Sequence, residues 1–291
     1  MYMKLWECTQ TKKTNLEQTN LGIFKSILNT VPRPLLIKAS YFVKPFVALY
    51  LKGGSYTDPI DGKSFRKFLP YGYGTQRENA LSPSTLSLER HRLLWLFLKE
   101  ETDFFGLKNN TKPCFSIREN LPKNQLRMLH MAPEQCFLKP FKKLENIDYI
   151  TADLYSPIAD VKSDICDLPF ESDSFDVVLC NHVLEHVPDD AKAMQELFRV
   201  LKPGGLGVFQ VPQDLTREIT FEDPTITDPK ERAQLFGQYD HVRVYGLDYF
   251  DKLSDAGFVV HEIDYTKKIA PELVKRFCLT PGELLPVCTK N

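Results

Sequence analysis

From Leu126 onward short apolar runs alternate with stretches of helical periodicity. RMLHMA (127–132), DYITADL (148–154), FDVVLCN (175–181) and LGVFQV (206–211) read as strands, because they are short and β-branched or apolar. DDAKAMQELFRVLKPGG (189–205) reads as a helix closed by Pro203 and Gly204. Further on, GLDYFDKLSDAG is a helix stopped by Gly257, FVVHEID a strand, PELVKRF a short helix and LLPVCTK a final strand. Strand–helix–strand alternation of this kind predicts parallel βαβ units and an α/β, Rossmann-like, doubly wound sheet.

Upstream the pattern differs. Residues 21–52 predict two amphipathic helices divided at PRP (32–34), since proline disfavours helix at its own position and the one before it. Residues 53–74 are rich in Gly, Pro and turn formers and read as an irregular connector or hairpin. LSLERHRLLWLFLKEETDFF (86–105) has apolar residues at helical spacing and leads into the main domain. Three regions are expected: a basic helical extension over 1–52, a connector over 53–92 and a catalytic-type domain over 93–291.

Composition narrows the class. With 43% hydrophobic and 26% charged residues the chain is an ordinary globular one. Its seven cysteines are odd in number, scattered and free of CxxC pairs, which fits a reducing cytoplasm. Through Lys67 eleven basic residues face four acids, so this arm is basic and the remainder acidic. The polar first twenty residues lack the apolar core of a secretory signal, and Lys38, Lys44 and Pro45 interrupt the apolar stretch 35–51. The expected location is cytoplasmic, with peripheral contact at the inner membrane surface through 21–52 or, alternatively, packing of that segment as a lid or dimer contact. The acidic main domain makes a nucleic-acid partner unexpected.

Ligands of open α/β sheets bind beyond the carboxyl ends of the strands. Those ends hold APE (132–134), Asp153, Asp164 and NHVLEH (181–186). An acid after the second strand can accept from both hydroxyls of a ribose, which suits Asp153, and Asp164 could accept from an exocyclic amine. Turn formation and helix capping are the alternatives for each.

DLPFESDSFDVVLCNHVLEHVPDD followed by ELFRVLKPGG resembles the type 11 group of class I S-adenosylmethionine-dependent methyltransferases, over about 126–262. The resemblance implies a seven-stranded, mostly parallel sheet with one late antiparallel strand, here LLPVCTK. It implies S-adenosylmethionine as cofactor, Asp153 on the ribose, Asp164 and the Ile165 backbone on the adenine, and Asn181 with His182 beside the methionine portion. The first motif departs from the group: His130, Ala132, Glu134 and Cys136 stand where an acid and three glycines are usual. Glu134 is expected to supply the missing negative charge to the methionine ammonium, or else to cap the following helix. His241, in FGQYDHVRVYG (236–246), is the candidate catalytic base, with pairing to Asp240 as the alternative.

A second resemblance is to a bacterial subgroup with a small module of two CPxC pairs before the methyltransferase domain. Asp58, Asp61, Ser82 and Thr85 occupy those places here, a hard-oxygen set unsuited to a structural zinc, so a former knuckle held by packing is expected and no metal. The expected acceptor is a small molecule or lipid-linked compound. A non-catalytic scaffold with the same fold is the rival, and a dinucleotide oxidoreductase is excluded by the lack of G-x-G-x-x-G.

Overall fold

The computed structural model describes residues 33–72, 76–106, 113–117 and 125–291. The first of the two helices expected over 21–52 lies outside them. The chain divides into two compact units, 1–50 and 51–291. In the first, helix α1 (Arg33–Tyr50) includes Pro45. Phe42, Val43, Phe46, Leu49 and Tyr50 are exposed at i, i+1, i+4, i+7 and i+8, a single apolar stripe. No described helix is long and apolar enough to cross a membrane.

The second unit opens with two small hairpins, over the stretch read as an irregular connector or hairpin. Strand β1 (Lys52–Thr57) pairs antiparallel with β2 (Ser64–Phe65), and β3 (Leu69–Tyr71) with β4 (Arg77–Leu81). At Asp58 and Thr85, two of the four places expected to replace cysteines, a hydrogen bond does the linking. Asp58 is fully buried, its Oδ1 accepts from the Ile60 amide at 2.9 Å, and its Oδ2 accepts from the Thr85 and Ser87 hydroxyls. The two turns, 58–61 and 82–85, are thereby joined directly by a carboxylate and a hydroxyl. Arg92, also fully buried, extends the joint: its guanidinium donates to the carbonyls of Ala80, Ser87, Phe277 and Cys278. A carbonyl cradle of this kind disperses a buried charge that would otherwise be costly.

Helix α2 (Glu89–Glu100) spans the expected boundary at 92/93 and buries its apolar face in the main core, as its periodicity required. Strand β5 (Leu126–Met131) follows, then α3 (Gln135–Lys142), β6 (Ile147–Asp153), β7 (Val161–Lys162), β8 (Phe175–Cys180), α4 (Asp190–Val200) and β9 (Leu201–Val208). Beyond these come β10 (Phe221–Glu222), α5 (Pro229–Leu235), β11 (Arg243–Val244), α6 (Tyr249–Asp255), β12 (Val259–Ile263), α7 (Pro271–Arg276) and β13 (Leu285–Thr289).

Seven of the strands form one sheet in the order β12-β13-β9-β8-β5-β6-β7. Only β13 runs against its neighbours, so the sheet is the mostly parallel one expected, with the late strand antiparallel. Strand β8 is buried throughout, with Val177 and Leu179 in one core cluster and Val178 and Cys180 in the other. That alternation assigns one cluster to each sheet face. From β5 the chain winds outward to β6 and β7, then returns to β8 on the other side of β5. The reversal leaves a crevice at the carboxyl ends of β5 and β8.

One boundary differs from expectation. Helix α4 ends at Val200 rather than at Pro203–Gly204, and Leu201 is already extended. The carbonyls of Arg199 and Val200 accept from the amides of Asp173 and Ser174, which takes them out of helical pairing. Pro203 also disfavours helix at Lys202. Residues 201–204 accordingly start β9, and Gly204 supplies a left-handed turn at φ +75° whose amide reaches Lys290.

Candidate functional site

The loop after β5 sets the site. Ala132 takes a left-handed φ of +46°, the conformation for which glycine is usual, and its amide donates to Ala152 at 2.8 Å. A Cβ there costs about 1–2 kcal/mol, so the turn is kept without its customary glycine at a local penalty. His182, after β8, is another such residue at this edge, at φ +54°, tied by its amide to the Gln210 carbonyl at 2.7 Å. Non-glycine residues in this region mark turns that surrounding structure over-determines.

Glu134 is the N-cap of α3, yet its side chain makes no capping hydrogen bond. Oε2 instead meets Nε2 of the fully buried His130, while Oε1 accepts from Asn181 Nδ2 at 3.2 Å and lies 3.6 Å from His91 Nε2. Burial alone would raise the Glu134 pKa, but the charge and hydrogen bond of His130, with His91 beside it, bring it down to about 2. The carboxylate is therefore ionised at neutral pH, and an ionised carboxylate only accepts, so His130 Nε2 carries the proton between them. On its other side His130 Nδ1 lies 2.8 Å from the Tyr149 hydroxyl, and burial raises the Tyr149 pKa, so that phenol keeps its proton. The carboxylate four residues after position 130 is thus held by the histidine at that position.

His91 reaches this carboxylate from α2. Its Nδ1 accepts from the Leu88 amide at 3.0 Å, leaving Nε2–H toward Glu134. Burial, and then the nearby Arg90 charge, lower its pKa well below the usual histidine value. Neither Arg90 nor His91 was among the site residues expected from sequence. ERHR opens α2, and nothing local says that α2 passes the end of β5.

The remaining expected residues follow the strand ends. Asp153 closes β6, and its Oδ1 accepts from the amides of Tyr155 and Ser156. Asp164 is exposed, with Oδ1 on the Cys166 amide at 2.9 Å, next to the buried Ile165. Asn181 is buried directly after β8, and His182 beside it is half-buried. His241 lies on the segment before β11, buried, with Nδ1 3.0 Å from the Phe236 carbonyl. It does not pair with Asp240, which contacts His186 instead.

Unpartnered polar atoms converge here. Among the described residues, the buried side-chain atoms without a hydrogen-bond partner belong to Arg90, His91, Gln135, Asn181, Glu185, Gln210, Asp240 and His241. They come from α2, the first residue of α3, the residues after β8 and β9, and the loop before β11. Buried polar groups are nearly always satisfied, so such a concentration at the ligand-binding edge of an α/β sheet marks this edge as the candidate site for a polar ligand. A separate groove of about 530 Å³, with Asp264, Ile269, Val274 and Leu279 in its lining, is built from the segment connecting β12 to β13 and shares none of these residues.

Residues 126–209 match the family model described as a methyltransferase domain. The demethylmenaquinone methyltransferase of Staphylococcus carnosus (strain TM300) is 36% identical over 79 residues, covering 27% of this chain and 29% of that protein. The demethylmenaquinone methyltransferase of Clavibacter sepedonicus is 51% identical over 45 residues, covering 16% and 18%. The chain therefore spans less than a third of the length of these curated relatives. A solved S-adenosylmethionine-dependent methyltransferase from Mesorhizobium loti overlaps 59% of this chain and 94% of its own, at 19% identity and a TM-score of 0.36.

Proposed function

We infer that this chain, whose residues 126–209 match a methyltransferase domain, is an S-adenosylmethionine-dependent methyltransferase of the class I type. The observation that carries this reading is the set of unpartnered buried polar atoms at the carboxyl ends of β5, β8 and β9. Their chemistry fits the cofactor. Glu134 is a fixed negative charge and Asn181 Oδ1 a free acceptor, as an ammonium needs, while Arg90 Nε is a free donor suited to a carboxylate. Asp153 would hold the ribose hydroxyls through Oδ2, since Oδ1 is already committed to its own turn. Asp164 and the Ile165 backbone would border the adenine.

Bound S-adenosylmethionine supplies a methyl group on a positively charged sulfur. The protein's part is orientation and the exclusion of competing water, because an in-line displacement asks little covalent chemistry of the enzyme. His241 is neutral, its pKa lowered mainly by burial, and Nδ1 is anchored on Phe236, so the Nε2 lone pair stays available as base or ligand. The acceptor is read as a small molecule or a lipid-linked compound. Relatives named for demethylmenaquinone methylation support the lipid-linked form.

Calorimetry with S-adenosylmethionine and its demethylated product tests the reading. Asp153→Asn keeps an acceptor for the Tyr155 and Ser156 amides while removing the charge, so affinity should fall about tenfold, or ~1.4 kcal/mol, with the fold intact. Failure of the intact protein to bind either compound would end the enzyme reading.

A further inference from the structure

Three side chains of the same edge, Glu185 and His241 among those with unpartnered atoms, are arranged in a way that methyl transfer alone does not call for. Glu185 and His186 lie on the 3₁₀ turn Leu184–His186, and His241 precedes β11. One ligand-type atom from each lies within 4.8 Å of the others.

The free atoms point inward. Glu185 is 1% exposed: its Oε1 is 3.3 Å from His182 Nδ1, while Oε2 has no partner. His241 is 3% exposed, and its Nε2 likewise has none. In both histidines the Nδ1 edge is spent on a backbone carbonyl of one loop, His241 on Phe236 at 3.0 Å and His186 on Asp240 at 3.3 Å. That fixes each ring's tautomer and leaves Nε2 with its lone pair, the second-sphere arrangement typical of metal-binding histidines. His186 Nε2 is 4.0 Å from Glu185 Oε1, and the two imidazoles stand edge to face at 4.7 Å.

The turn and the loop are held together. The Val242 amide donates to Glu185 O at 2.9 Å, and Arg243 donates to the carbonyls of Leu184, Val187 and Pro188. Ligands about 2.0–2.2 Å from a cation stand roughly 3–3.5 Å apart, so closing this triad needs side-chain shifts under about 1 Å.

We propose that Glu185, His186 and His241 form a divalent transition-metal site with open coordination positions. Two imidazole nitrogens and one carboxylate select zinc-like ions over magnesium or calcium, which prefer oxygen. The absence of knuckle cysteines leads the sequence reading to expect no metal; this site is built from other residues, and it does not depend on the methyl-transfer reading.

The full chain, stripped by chelator and dialysed, is titrated with Zn²⁺ and with Co²⁺. One equivalent should bind, Co²⁺ should develop a visible ligand-field band, and excess Mg²⁺ should not displace it. His186→Ala, Glu185→Gln and His241→Ala should each weaken Zn²⁺ binding at least tenfold, while Cys114→Ser, at an exposed thiol, leaves it unchanged. Should a variant fail to fold, the wild-type chain still decides: Zn²⁺ should shield His186 and His241 from carbethoxylation, read by peptide mass mapping. Less than half an equivalent of bound Zn²⁺, unshielded histidines, or unaltered binding in a folded double His186→Ala, His241→Ala variant would overturn the proposal. Metal uptake without S-adenosylmethionine binding would leave this site standing and remove the methyltransferase reading; the converse result would do the reverse.

Discussion

Glu134→Gln keeps the side chain's shape and deletes its charge. In the native protein both oxygens face donors, His130 Nε2 on one side and Asn181 Nδ2 with His91 Nε2 on the other. A glutamine must turn its NH₂ toward one of these, so a donor meets a donor unless His130 changes tautomer. The size follows from the carboxyl's pKa, lowered from 4.5 to about 2 in the fold: at ~1.4 kcal/mol per unit the charge contributes about 3 kcal/mol. For a unit of this size that corresponds to a Tm lower by about 6–12 °C. Because the folded pKa lies below the unfolded one, the contribution is complete above about pH 4.5 and is lost as the pH falls toward 2. Thermal and urea unfolding followed by circular dichroism at pH 7, 4.5 and 3 should show the gap between wild type and variant narrowing with acid. A Tm within 1 °C of wild type at pH 7, or a gap that ignores pH, would refute the assignment of Glu134 as a buried, histidine-held anion. The same variant should also bind S-adenosylmethionine more weakly; unchanged affinity would leave Asn181 as the ammonium's acceptor.

Two further outcomes are expected. Arg92→Met strips the donors from four buried carbonyls that join the hairpin region to residues 277–278, so urea unfolding should report a loss of about 3–5 kcal/mol, and a loss under 1 kcal/mol would deny the guanidinium that role. Deleting residues 21–52, which include the exposed stripe of Phe42, Phe46 and Leu49, should abolish sedimentation with anionic vesicles; sedimentation that is unaffected would point to a lid or dimer contact instead.

The strands and helices of the main sheet were legible because their signals are local. FDVVLC is apolar on both faces, and β8 is buried on both faces. The final strand's antiparallel direction came with the family pattern, which records strand order indirectly. The misplaced end of α4 shows the limit: Pro203 and Gly204 announce a stop, but only the amides of Asp173 and Ser174 decide that it falls at Val200.

What joins distant residues was not written locally. Thr85 bonds Asp58 across 27 positions, and His91 meets Glu134 across 43, because α2 passes the loop after β5. Glu134 is read in the sequence as the negative charge for a methionine ammonium or as a helix cap; the fold gives it a buried histidine partner, which with burial sets its charge. Glu185 and His186 belong to a quoted motif, yet their approach to His241 depends on Arg243 and Val242 folding back onto the 3₁₀ turn. Periodicity and turn chemistry are properties of neighbours along the chain, so the sequence by itself determined the elements and their class. Electrostatic environment and ligand geometry are properties of neighbours in space, and those the tertiary structure alone decided.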